Sequence, residues 1–162
     1  MASADFLEAN GKYAANFEKP DRSLLRNVII ECSPYDQLGL KLGEVITIRN
    51  AGGSAKEALR SIMVAQHFIG VTGEIAVFHH KDCGMSRVTT EAMRGLVRIA
   101  NPGRADIAAT VDGIDFYQID HIEESVKADV RFLAENPLVV KGTKISGWIY
   151  DVDTGKASRR SL

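Results

Sequence analysis

Three apolar-rich runs recur in the first half of the chain: Val28-Ile29-Ile30, Val45-Ile46-Thr47-Ile48 and Ile75-Ala76-Val77-Phe78. Short runs of this kind, bounded by polar or turn-prone residues, suit strands buried on both faces and predict strands over 27–31, 45–48 and 74–79. The first ends at Cys32 and the turn-prone Ser33-Pro34. The second runs into Asn50-Ala51-Gly52-Gly53, after which Ser54 is placed to cap a helix reaching about residue 69. Ahead of them, Phe6, Leu7, Ala9, Tyr13, Ala14 and Phe17 fall partly on one helical face and predict an amphipathic helix over 5–17, within an N-terminal helical arm at about 1–20. Helices are expected over 89–100, stopped by Asn101-Pro102-Gly103, then over 105–111 and over 122–135, before Asn136-Pro137. Over 144–152, Ile145, Gly147 and Ile149 alternate with Ser146, Trp148 and Tyr150 before the turn Asp153-Thr154-Gly155, which predicts an edge strand near the C-terminus. Strands alternating with helices predict an α/β fold, a mostly parallel β-sheet flanked by helices.

Composition narrows the picture. At 162 residues and 45% hydrophobic content, the chain fits one domain over 1–162 that can bury a core without disulfides. It contains no internal repeat, low-complexity tract or Pro/Gly/Ser-rich linker. The 20 basic and 21 acidic residues are scattered and leave a formal charge of -1, with no electrostatic footprint for nucleic acid or an anionic membrane. Small molecules or protein are the expected partners. No stretch approaches the roughly 20 apolar residues of a membrane span. The opening MASADFLEANGKYAANFEKP lacks both a signal-peptide apolar core and a basic transit pattern, so a cytoplasmic location is expected. The two cysteines, Cys32 and Cys83, suit one disulfide, a pair of thiols or a metal site, and composition does not choose among these.

Position in the fold begins to choose. In open α/β sheets, ligands bind beyond the carboxyl ends of the strands. Cys32 closes the first strand and His79-His80-Lys81-Asp82-Cys83-Gly84 closes the third, so the two clusters meet if those strands are neighbours. Two thiolates and one imidazole suit Zn²⁺, with a fourth position left for water, substrate or a carboxylate. The two residues between His80 and Cys83 allow a turn to bring both to one ion, and Gly84 can relieve crowding behind them. Taken singly, the same residues have plainer readings. A cysteine ending a buried strand is usually a small core hydrophobe, HxxC alone is a weak signal, and His79 reads equally as a hydrogen-bonded core histidine.

The combination carries more. HHKDCGM, from His79 to Met85, resembles the HxxCG zinc motif of β-carbonic anhydrases; GEVITIRNAGG, from Gly43 to Gly53, resembles that family's strand and RNAG loop. FLEANGKYAANF and GWIYDVDTGK also look like family segments, so the resemblance spans nearly the whole chain, as a compact member. The resemblance implies Zn²⁺ held by Cys32, His80 and Cys83, a mostly parallel sheet, and a homodimer that in the family often doubles to a tetramer. It further implies reversible hydration of CO₂ to bicarbonate by zinc-bound hydroxide, or hydrolysis of carbonyl sulfide or carbon disulfide by the same chemistry.

One family motif is missing. CxDxR pairs an aspartate with an arginine beside the first cysteine, whereas this chain reads Cys32-Ser33-Pro34-Tyr35-Asp36-Gln37, and neither a direct alignment nor a one-residue insertion restores the pair. In the family the arginine holds the aspartate off the metal, and the aspartate orients and deprotonates water; a well-placed acid or base contributes on the order of 10²- to 10⁴-fold. Candidate replacements are Asp36, as base or fourth zinc ligand, and Tyr35 and Gln37, as hydrogen-bond donors to an oxyanion; the alternative for all three is a solvated turn. Asp82 is a candidate partner of the zinc cysteine or a local backbone cap, and Arg49 is expected to brace loops. Arg87 and Lys81 are expected to face solvent. His67 and His121, in helical contexts far from the motifs, carry no assigned role. Two other classes stay open at this level: a zinc protein of this fold without catalysis, its fourth position sealed by a protein ligand, and a redox protein pairing Cys32 with Cys83.

Overall fold

The computed structural model describes residues 14–15, 27–31, 38–39 and 43–160. Of the helix expected over 5–17, only residues 14–15 are among them, in helical conformation. Cys32, Tyr35, Asp36 and Gln37 lie outside the described residues.

Five strands form one sheet: β1 (Asn27–Glu31), β2 (Val45–Arg49), β3 (Glu74–His80), β4 (Lys144–Asp151) and β5 (Lys156–Arg160), in the order β2-β1-β3-β4-β5. The first three pairings across the sheet are parallel; β4 and β5 are antiparallel. The strands predicted from apolar runs are thus the parallel core. β5 gave no such signal, because KASRR is exposed over its first four residues and has no apolar pattern. The strand expected at the edge over 144–152 is instead interior, with β3 on one side and β5 on the other. Its polar alternation marks only its second face. There Ser146 is buried but satisfied, donating to Glu74 and accepting the indole N–H of Trp148 at 2.9 Å, while Trp148 stacks on Phe78 with ring centroids 5.6 Å apart. The β4-to-β5 turn is closed by Asp151, whose Oδ1 accepts from the N–H groups of Asp153 and Thr154.

Helix α1 (Ala55–Met63) is capped by Ser54, whose side chain accepts from the N–H of Glu57, and continues as a π-helical turn, Val64–Ile69, that ends at left-handed Gly70. Helices α2 (Thr90–Ala100), α3 (Ala105–Asp112) and α4 (Ile122–Glu135) then connect β3 to β4. One sheet face carries the core: Val28, Ile30, Ile75, Val77 and Ile149 pack with Ala58 and Ile62 of α1 and with Val126, Val130 and Leu133 of α4. Each large aliphatic side chain buried there stabilises the fold by about 1.5–3 kcal/mol. The parallel strands and these two helices set the positions of everything at the strands' carboxyl ends. None of the helices among the described residues is long and apolar enough to cross a membrane.

Candidate metal centre

β1 and β3 are neighbours, in register Ile29↔Ala76 and Ile30↔Val77, so the strand end that leads into Cys32 lies beside the strand end that carries His80. His80 Nδ1 is 2.8 Å from the carbonyl oxygen of Lys81. The tautomer that donates there leaves the lone pair on Nε2, the arrangement in which histidine binds metals. The chain then turns sharply. Lys81 N–H is held by the Tyr150 carbonyl at 2.8 Å, and Asp82 adopts φ 57°, a left-handed conformation that aspartate tolerates. This turn delivers Cys83, a buried and unbridged thiol, into the same cleft as His80. Ser86 fixes the cysteine's backbone, its N–H and hydroxyl both donating to the Cys83 carbonyl.

The cleft, of about 280 Å³, is completed by Ile119, Asp120 and His121 on the approach to α4. His121 was expected to lie far from the motifs; the loop before α4 folds it back over them, a proximity that spacing along the chain does not reveal. Among the described residues, no three His, Cys, Asp or Glu side chains converge as a metal site. The donors that are described fit zinc: one imidazole with an available Nε2 and one buried thiol, separated by a turn that lets both face one cleft, with the chain leaving β1 directly into a second thiol.

The crowding expected at Gly84 does not come from the described residues. A Cβ there would meet nothing within 4 Å among the described residues. Beside the cleft, crowding is found in the Asn50–Gly53 loop: a Cβ on Gly53 would sit 2.7 Å from the Phe78 carbonyl oxygen, and its φ of +69° is itself unfavourable for other residues. The loop therefore lies flush on the end of β3. Asp82 pairs with Arg87, and Lys81 with Asp151 at 2.7 Å, all near the protein surface.

At the end of β1, Glu31 is 3% exposed, its Oε1 without a partner among the described residues. Burial pushes its carboxyl above the usual range, opposed by the guanidinium of Arg49, its register partner on β2. The folded protein therefore binds this proton more tightly than the unfolded chain does, and stability falls as pH rises from the ordinary glutamate range through the raised value. Glu31→Gln is expected to flatten that part of the profile, measured by urea unfolding across acidic to neutral pH. An unchanged slope would remove Glu31 as its source.

His79 occupies the opposite face from His80 and is the hydrogen-bonded core histidine of the plainer reading: 2% exposed, with Nε2 3.3 Å from Asp129 Oδ2. Asp129 was missed from the sequence. Its signal was present, since it stands three residues after Val126 and four before Leu133, a carboxylate on the apolar stripe of α4. A second, larger cleft of about 530 Å³ adjoins this pair and shares Ile119, Asp120 and His121 with the first.

The model of the carbonic anhydrase family matches residues 32–157. Among curated proteins, β-carbonic anhydrase 1 of Mycobacterium tuberculosis is 31% identical over 160 residues, covering 94% of this chain and 93% of that protein. A carbon disulfide hydrolase of Acidithiobacillus thiooxidans is 29% identical over 136 residues, covering 74% of this chain and 67% of its own length. Among solved structures, the carbonic anhydrase from Glaciozyma antarctica superposes with a TM-score of 0.82 at 33% identity, covering 94% of each chain.

Proposed function

The chain belongs to the β-carbonic anhydrase family, a family of carbonate dehydratases, and from that premise we propose that it holds one Zn²⁺ with Cys32, His80 and Cys83 and hydrates CO₂ to bicarbonate. The observation that supports this most directly is the turn His80-Lys81-Asp82-Cys83, which places an imidazole and a thiol in one cleft beside the strand end leading to Cys32. When bound, zinc supplies a Lewis acid that brings the acidity of water close to neutral pH. The protein's part is to hold the ligands, shape the cleft and dispose of the proton released as CO₂ and water become bicarbonate. The main-chain bonds of Lys81 and Cys83 fix the turn, Ile119 and Ile122 narrow the cleft, and Asp120 and His121 give it a polar wall. With the CxDxR pair missing, orientation of water and of the developing oxyanion falls in this reading to Asp36, Tyr35 and Gln37.

We assign the protein to the cytoplasm and to a homodimer, with pairing of dimers into a tetramer as the further step. Val64, Phe68 and Ile69, all exposed in the π-helical turn after α1 and Phe68 88% so, support burial against a second copy. Light scattering of the purified protein is expected to give at least twice the 17.7 kDa chain mass.

Stopped-flow CO₂ hydration on metal-replete protein, with zinc measured on the same sample, tests the function. Hydration above buffer with one zinc per chain is the expected result. The carbon disulfide hydrolase relative makes hydrolysis of carbon disulfide or carbonyl sulfide the second reading. One zinc per chain with no hydration, but sulfide release from either substrate, would replace the first reading by the second. Zinc without either activity would leave a zinc protein that has lost the chemistry.

A further inference from the structure

β3 ends in two successive histidines, and a strand alternates its side chains between faces. His80 opens toward the cleft of Cys83, whereas His79 faces the helices. Nδ1 of His79 has no partner among the described residues, so the bond from Nε2 to Asp129 is the ring's polar anchor. The same oxygen, Asp129 Oδ2, accepts the N–H of Ala55 at 3.1 Å. Ala55 is the first residue of α1, one beyond Ser54, whose carbonyl takes the Asn50 side-chain N–H at 2.8 Å. One carboxylate oxygen on α4 thus ties down both segments that border the metal centre: the end of β3 and the glycine loop after β2. Burying a carboxylate on an apolar helix stripe is costly unless its partners are in place, and here two donors from distant parts of the chain converge on it.

We propose that Asp129 is a positioning residue for the metal centre, holding the β3 terminus through His79 and the Asn50–Gly53 loop through Ala55, so that His80 and Cys83 are presented in a fixed geometry. This inference rests on the zinc reading above and deepens it. A metal ligand must be held within roughly 0.5 Å of its productive position. The His80 ring is oriented by Lys81, but its main chain is one peptide from His79; loosening His79 lets that ligand wander. The Gly53 contact with the Phe78 carbonyl transmits the loop's position to the same strand end.

The test is metal affinity and ligand field rather than turnover. In Asp129→Ala, the zinc dissociation constant from chelator competition is expected to rise about tenfold, as for loss of a partner that orients a ligand. The visible bands of the Co²⁺-substituted protein are expected to shift with it. Asp129→Asn retains an oxygen for both donors and is expected to restore most of the affinity and the native spectrum. Leu133→Ala, on the same helix, is the control for simple destabilisation: it is expected to lower Tm but leave affinity and spectrum unchanged. If Asp129→Ala does not fold, His79→Leu severs the same link from the other side and is expected to loosen the metal similarly. Affinity within twofold of the parent and an unchanged cobalt spectrum, in whichever variant folds, would overturn the proposal. So would an equal loss of affinity in Leu133→Ala. Parent protein that binds no zinc would sink the zinc reading first, and the proposal with it; failure of CO₂ hydration alone would leave these measurements intact.

Discussion

Cys83→Ser is expected to bring CO₂ hydration down to the buffer rate and zinc content far below one per chain. The reason is the poverty of the donor set. Three protein ligands leave one open position at a catalytic zinc, and removing one leaves two. A serine hydroxyl is close in size to the thiol but stays protonated near neutral pH, so it offers neither the charge nor the softness that zinc takes from a thiolate. The surrounding turn should survive, because it is held by main-chain groups: Lys81 N–H to the Tyr150 carbonyl and Ser86 to the Cys83 carbonyl, neither of which uses the sulfur. The variant is therefore expected to unfold near the parent's metal-free midpoint while losing metal and activity together. Full zinc occupancy in Cys83→Ser would show that the ligand set is wrong. Full activity without Cys83 would remove the metal turn from the mechanism.

Gly147→Ala is expected to be the most damaging single-methyl addition in the core. Gly147 lies on β4 under α4, where a Cβ would fall 2.5 Å from Val126 Cγ1 and 2.9 Å from Val130 Cγ2. Both valines are buried, and α4 cannot lift from the sheet without uncovering Leu133 as well. Overpacking of this kind costs typically 1–3 kcal/mol, and the upper end applies where both colliding groups are β-branched and locked. In a domain of this size, about 3 kcal/mol corresponds to a fall in Tm of roughly 6–12 °C. The clash also identifies its own remedy. Val126→Ala removes the colliding methyl, so the double variant is expected to be less destabilised than the sum of the single changes, measured by thermal unfolding. Strict additivity would mean that α4 shifts bodily to admit the methyl, and the close approach would then explain nothing.

Glycine at 147 also shows where the sequence speaks and where it is silent. From the sequence, Gly147 takes its place in the alternation Ile145, Gly147, Ile149, and the strand is correctly expected; that a helix rests on it is a fact of packing. The parallel core strands were legible because burial on both faces demands continuous apolar residues, and α1, α2 and α4 because the Ser54 cap and the stops Asn101-Pro102-Gly103 and Asn136-Pro137 follow from local geometry. β5 was illegible for the converse reason: an exposed edge strand held by main-chain pairing makes no demand on its side chains.

The same division runs through the site. His80 and Cys83 could be singled out from the chain because the HxxCG motif fixes residue type and spacing within four positions, and the family follows from that motif with GEVITIRNAGG. The missing CxDxR pair was equally a property of the sequence. The placement of His121 over the cleft, the press of Gly53 on the Phe78 carbonyl, and the meeting of Asp129 with His79 and Ala55 join residues 25 to 74 positions apart. Side chains so separated are brought together only when parallel strands and their crossover helices have packed. The sequence by itself determined the family and the strands that carry the proposed ligands; the tertiary structure alone decided which distant groups pack around them.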